Sequence, residues 1–121
     1  MTINDTSPAG LWQAAGDGSF RLEADAAREC AAHFGWIADE LSERIAEMER
    51  LNVLSGFGGF DSADQLRQGF ESKANQGSAA LASVRQECRE LQAAVLRAGG
   101  LLDEQDLAAA AALTSQGGEM P

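Results

Sequence analysis

The chain has 121 residues and a formal net charge of −10, from 9 basic and 19 acidic side chains. Such an acidic balance argues against a nucleic-acid binder, which needs Lys and Arg to displace phosphate counterions, and against a domain held on anionic lipid by charge. Apolar residues reach 45% but aromatics only 6%, with no Tyr, so the bulky side chains of a wide core are scarce. Abundant Ala, Glu, Gln, Leu and Arg with two prolines point instead to long helices meeting through narrow seams, and argue against an enzyme.

Residues 1–19 carry Pro8, several glycines and short polar residues, and are predicted to form a flexible N-terminal arm. Leu11 and Trp12 are a bulky apolar pair in it, able to pin the arm to the domain or to a partner. No positive residue followed by an apolar run is present there, so a general secretory signal peptide is not expected. No apolar stretch approaches the roughly 18 residues that a membrane span requires. The chain either stays in the cytoplasm or leaves folded, by a route that reads something other than such a peptide.

A first long helix is expected over about 20–53. Its acidic first turn, with Glu23 and Asp25, suits the positive end of a helix dipole. Cys30, Phe34, Ile37, Leu41, Ile45, Met48 and Leu51 recur three or four apart and make one apolar stripe. Asp39, Glu40, Glu43, Glu47, Glu49 and Arg50 supply the charged face.

Glycines at 56, 58 and 59, between Ser55 and Phe60, allow the backbone to reverse over 55–60. A second helix is expected over about 62–98, opened by Ser62 with Gln65 three residues on, a capping-box pattern. Its stripe is Leu66, Phe70, Ala74, Gly77, Leu81, Val84, Cys88, Leu91, Val95 and Ala98. Gly69 and Gly77 each cost this helix about 1 kcal/mol, which implies either a closely approaching helix or local looseness. Gly99 and Gly100 break it, and residues 101–121 are expected to hold a short helix and a disordered tail.

The predicted fold is therefore all-α: an antiparallel helical hairpin. Two helices alone bury little surface, so the hairpin is expected to pair into a four-helix bundle, with itself or with a second hairpin. Trp36 lies roughly 130° around the helix from the stripe, where a partner would cover it, unless it stands alone or Trp12 of the arm covers it. Cys30 and Cys88 both fall on stripes. They lie 27 and 31 residues from Phe57, a mismatch of about 6 Å along the hairpin. They are either an interhelical disulfide clamping its open end or two buried thiols.

No catalytic, cofactor or metal site is expected. His33 is the single histidine and two distant cysteines cannot complete a zinc site. The glycine turn lacks the GK[ST] ending of a phosphate loop.

Two amphipathic helices around a turn of glycine and aromatic residues, Phe57, Gly58, Gly59 and Phe60, resemble the WXG100 (ESAT-6-like) superfamily. Within it, the closest likeness is to the EspC-like proteins of actinobacteria associated with type VII secretion. The likeness covers roughly Phe20 to Leu113. It implies a helical hairpin that pairs into four-helix bundles and is exported folded, without a cleaved signal peptide. The family's turn carries Trp-x-Gly, and here Phe stands for Trp. The family's export signal is Tyr followed four residues later by an acid. Here Leu102 stands for the Tyr and Asp106 supplies the acid, so either Leu102 substitutes or a partner carries the signal.

The resemblance implies a non-enzymatic type VII secretion component, an exported factor or a targeting partner for a larger effector or toxin. It would be cytoplasmic before export, then secreted or at the cell surface. Its partners would be another hairpin protein or a second copy through Trp36 and Trp12, and the secretion ATPase. The charge alone supports a rival reading, a cytoplasmic immunity or chaperone-like module that binds a basic protein.

Overall fold

Ser7 starts the first helix, and does so inside the predicted arm. The computed structural model describes residues 6–51, 61–103, 106, 107, 109 and 110. Among them are α1 (Pro8–Asp17), α2 (Ala24–Arg50) and α3 (Asp61–Ala98), and no strand. The all-α class is the one expected.

Helix α1 corrects the expectation of an unstructured arm. Ser7 is extended (φ −64°, ψ 158°) and its hydroxyl accepts from the Gly10 N–H at 3.1 Å. Pro8 occupies the opening turn, where a missing N–H costs nothing. Gly18 closes the helix in the left-handed region at φ 86°. The residues that look like breakers are thus the two ends of a short helix. Just beyond, the Ser19 hydroxyl and N–H both donate to Asp17 Oδ1, at 2.6 and 2.9 Å, and hold that carboxyl below its usual pKa.

Helix α2 lies within the predicted 20–53. Its start is later because Phe20 to Glu23 are used in the connection: the Leu22 N–H donates to the Ala98 carbonyl at 3.1 Å. Helix α3 opens at Asp61, so Ser62 lies inside the helix rather than capping it. It ends where the glycines predict. Gly100 is left-handed at φ 67°, and the Gly100 and Leu101 N–H groups close back on the Arg97 and Leu96 carbonyls at 3.0 Å. The expected glycine turn at 55–60 lies outside the described residues.

The chain forms two compact units. The first joins residues up to 38 with those from 86 onward; the second is Asp39–Arg85. In the first unit α2 and α3 run antiparallel: Gln92 Nε2 donates to the Ala31 carbonyl at 2.9 Å, and Ala27 approaches Gly99 so closely that a Cβ there would meet its methyl. A Cβ on Gly35 would come within 2.8 Å of Gln92 Nε2, so that glycine lets the amide reach the α2 backbone. Helix α1 packs on the far part of α3 through Trp12, Ala93 and Ala94.

In the second unit the pairing is again antiparallel. Arg85 donates to Ser42 Oγ at 3.1 Å, and the Met48 methyl lies where a Gly77 side chain would stand. Among its described residues Ile45 and Ala74 are the buried apolar ones. Gly77 therefore fits the close-approach reading, while Gly69 faces open space and has no close approach.

The buried line of α2 shares Ile45 with the predicted stripe but otherwise departs from it. It is Ala27, Ala31, Ala38 and Ile45, with Ala27 and Ala38 at 0% exposure. At 100° per residue this line is rotated by about 70° from the stripe that the large residues define. Cys30, Ile37 and Leu51 are consequently exposed. The reason is steric: alanine and glycine let two helix backbones approach closely, and bulky residues at the same positions would hold them apart. Helix α3 shows the same inversion in the second unit, where Leu66, Phe70 and Val84 are exposed and Ala74 is buried.

Candidate interaction surface

Trp36 is 64% exposed, the most exposed of the large apolar residues described. From the Ala27–Ala38 line it lies about 165° around α2, almost opposite the seam. Asp25, Glu29, Ala32 and His33 are exposed on the same side, whereas Cys30 and Ile37 lie about 100–120° away around the helix. Trp36 therefore stands on a line of acidic residues, with Asp25 and Glu29 within about 20° of it, and Ala32 is its small apolar neighbour. An exposed indole on the side away from the seam is the kind of surface a partner covers.

The second unit has its own apolar surface. Leu51, Leu66 and Val84 are about half exposed, and a notch of about 250 Å³ lies among Met48, Leu51, Phe70, Lys73 and Ala74. Its walls are apolar apart from the Lys73 ammonium.

Trp12, expected at a partner interface, is instead 9% exposed and belongs to the core of the first unit. It took the other option, pinning its segment to the domain. The Arg97 guanidinium stacks over its ring at 4.2 Å and donates to its carbonyl at 3.1 Å. Gly16 makes room, since a Cβ there would come within 2.6 Å of the guanidinium carbon.

Leu102 is half-buried and packs on the Trp12–Ala93–Ala94 cluster together with Leu11, Leu107 and Ala110. Asp106 is exposed, and its N–H donates to Asp103 Oδ1 at 2.8 Å, which caps a helical turn. Both residues line an open groove of about 490 Å³ with Arg89 and Leu96. The tail pair is thus brought to one surface but not to one state: the leucine faces the core cluster and the acid faces solvent. Phe57, Gly58, Gly59 and Phe60 lie outside the described residues.

Cys30 and Cys88 are both free, so the bridged alternative is not formed. Cys30 is exposed because the buried line is rotated away from it. Cys88 is buried, and burial, with Glu87 adding its charge, pushes its thiol above the usual pKa. His33 is exposed. Among the described residues no group of three or more His, Cys, Asp or Glu side chains is arranged to hold a metal ion. No described helix is long and apolar enough to cross a membrane.

Sequence reasoning missed Glu90, which is only 6% exposed, and the Arg97–Trp12 stack. Glu90 accepts from Gln86 Nε2 at 3.3 Å and borders the start of α1, with Ser7 and Pro8. A carboxylate suits that place, since a helix N-terminus carries a partial positive charge. Reading α1 as an arm hid both, because neither has a role without it. No protein-family model matches the chain, and searches of curated proteins and of solved structures gave no significant match.

Proposed function

We propose that this chain is a non-enzymatic helix-pairing component of a type VII secretion system, either exported itself or accompanying a larger effector as its targeting partner. The observation that carries the reading is the inversion of side-chain size. Alanines and glycines hold α2 to α3, while Trp36, Ile37, Leu66 and Val84 remain outside. A chain whose bulky side chains do not serve its own core is built to bury them against something else. In this reading α2 and α3 form a hairpin, a second hairpin covers the outer residues, and the product is a four-helix bundle.

The resemblance to WXG100-like chains supports the secretion context through the Leu102–Asp106 spacing and the glycine–aromatic segment. In that context the tail of the assembled bundle is what the export ATPase reads, and the chain is cytoplasmic until it leaves the cell. The test is export from an actinobacterial host with an active type VII system. Wild-type chain accumulates in the culture filtrate, alone or with its partner, and Leu102→Ala combined with Asp106→Ala abolishes this while circular dichroism stays helical. Unchanged export of the double variant and its partner overturns the reading.

A further inference from the structure

We infer that α1 is a releasable clasp on the tail: docked, it keeps Leu102 turned inward, and Leu102 and Asp106 become readable as a pair only when α1 lifts off α3. The inference rests on the export reading proposed above and adds the regulation of that same tail. It starts from a mismatch within the pair. Asp106 is exposed, whereas Leu102 is half-buried and packs on the Trp12–Ala93–Ala94 cluster. A receptor that takes an apolar side chain together with an acid uses the apolar one as its anchor, and needs both at the surface. On the docked chain it meets the acid and only part of the leucine.

The backbone brings Leu102 to the cluster. Gly100, left-handed at φ 67°, ends α3 and turns the chain, and the Leu101 N–H donates to the Leu96 carbonyl at 3.0 Å. The turn that follows is fixed at Asp103, whose carbonyl accepts from the Leu107 N–H and whose Oδ1 accepts from the Asp106 N–H, both at 2.8 Å. Of the three buried residues against which Leu102 packs, Ala93 and Ala94 bring one methyl each. The one large side chain is the Trp12 indole, and it belongs to α1. Without the indole, Leu102 keeps those methyls and Leu96, its neighbour in an open groove. The apolar surface that holds the tail is therefore supplied in large part by α1.

Helix α1 is suited to letting go. It has ten residues, too few for a helix to persist in water by itself, and only Trp12 and Ala14 of it are buried. Its hold is concentrated on one residue. Trp12 fills the cluster, and Arg97 of α3 stacks on its ring at 4.2 Å and donates to its carbonyl at 3.1 Å. Losing that anchor frees α1 as a unit, in the manner of a local unfolding step, and removes the indole from behind Leu102. Helix α1, the tail and the end of α3 all lie in the first compact unit.

The experiment uses the full chain and two readouts. The first is amide exchange of Asp106 and Leu107, followed by NMR. Exchange should be about tenfold faster in Trp12→Ala than in the parent, and faster by a smaller factor in Arg97→Met, with Ile45 and Ala74 unchanged in both. The second is export from the actinobacterial host, normalised to the amount of chain in the cells. Both variants should raise the exported fraction, Trp12→Ala by about threefold or more, and adding Leu102→Ala with Asp106→Ala should cancel the rise. Where Trp12→Ala loses helix content beyond α1, Arg97→Met decides alone. Unchanged exchange at Asp106 and Leu107 overturns the inference, because the tail then does not depend on α1. Faster exchange with export at or below the parent level overturns it too, because the clasp then hides nothing that is read. Faster exchange with no export from any version, the parent included, is the separate failure of the export reading: it upholds the coupling of the tail to α1 and removes the secretion ATPase as its reader.

Discussion

Arg97 joins α3 to α1 by two contacts with one residue: its guanidinium lies 4.2 Å from the centroid of the Trp12 ring and donates to the Trp12 carbonyl at 3.1 Å. Trp12 also anchors the apolar cluster with Ala93 and Ala94, on which Leu102 packs. Trp12→Ala should therefore cost about 3 kcal/mol in chemical denaturation, the usual range for a buried indole. Arg97→Met keeps much of the stem and loses the stack, and should cost about 1 kcal/mol. If Trp12→Ala unfolds at the same denaturant concentration as the parent, α1 contributes nothing to the core.

Gly69 within α3 and Gly99 just past its end should respond with opposite signs. Gly69 faces open space inside a long helix, so Gly69→Ala should stabilise by about 0.8 kcal/mol through helix propensity alone. Gly99 opposes the Ala27 methyl, which is rigidly attached to the α2 backbone and cannot swing aside. Gly99→Ala should destabilise by about 1–3 kcal/mol, the cost of overpacking. Thermal melts of the two variants against the parent check this. Equal effects would mean that the close approach of α2 and α3 at this end is absent in solution.

The two thiols should be separable by reactivity. Cys30 should react with a maleimide at least about tenfold faster than Cys88 in the native protein, and both equally in denaturant. Burial raises the Cys88 pKa above the ordinary 9.0, so folding favours the neutral thiol. That contribution is complete below the unfolded-state pKa and is lost as the pH rises through the higher folded-state value. Melting temperature should thus fall above about pH 9, and by less in Cys88→Ala than in the parent. A Cys88 that labels as fast as Cys30 at neutral pH would contradict its burial.

Ser7→Ala should cost about 1 kcal/mol by leaving the Gly10 N–H without its cap. The change should be visible as faster amide exchange over Pro8–Asp17, with α2 unchanged. Exchange equally fast in both proteins would show that α1 does not depend on Ser7.

Composition carried the fold class. An alanine-rich, glutamate-rich chain without Tyr reads as long helices, and α2 and α3 lie close to where periodicity puts them. What periodicity did not carry is which face of α2 is buried. The stripe from Cys30 to Leu51 follows the largest apolar residues, on the premise that burial scales with size. Ala27, Ala31 and Ala38 have equal claim to a period near 3.6, but small residues register weakly in such a reading. Trp36 was placed correctly on the outer side, since it lies far from either line.

Helix α1 was missed for a different reason. Pro8 and Gly18 mark breaks when read one by one, whereas in order they spell a start and a stop around ten residues. The buried Glu90 and the Arg97 stack followed α1 out of view. The tail was half legible: Leu102 and Asp106 were singled out by their spacing, but spacing says nothing about Leu102 lying against Trp12.

The methyl-lined seam has a consequence for how such a chain can change over generations. Ala27, Ala31 and Ala38 leave little freedom, because any larger group would wedge the helices apart. Trp36, Leu66 and Val84 contribute little to that seam, so mutation there leaves the scaffold intact. The chain can therefore exchange one binding companion for another by altering its outer vocabulary, while the grammar of alanine contacts beneath stays the same.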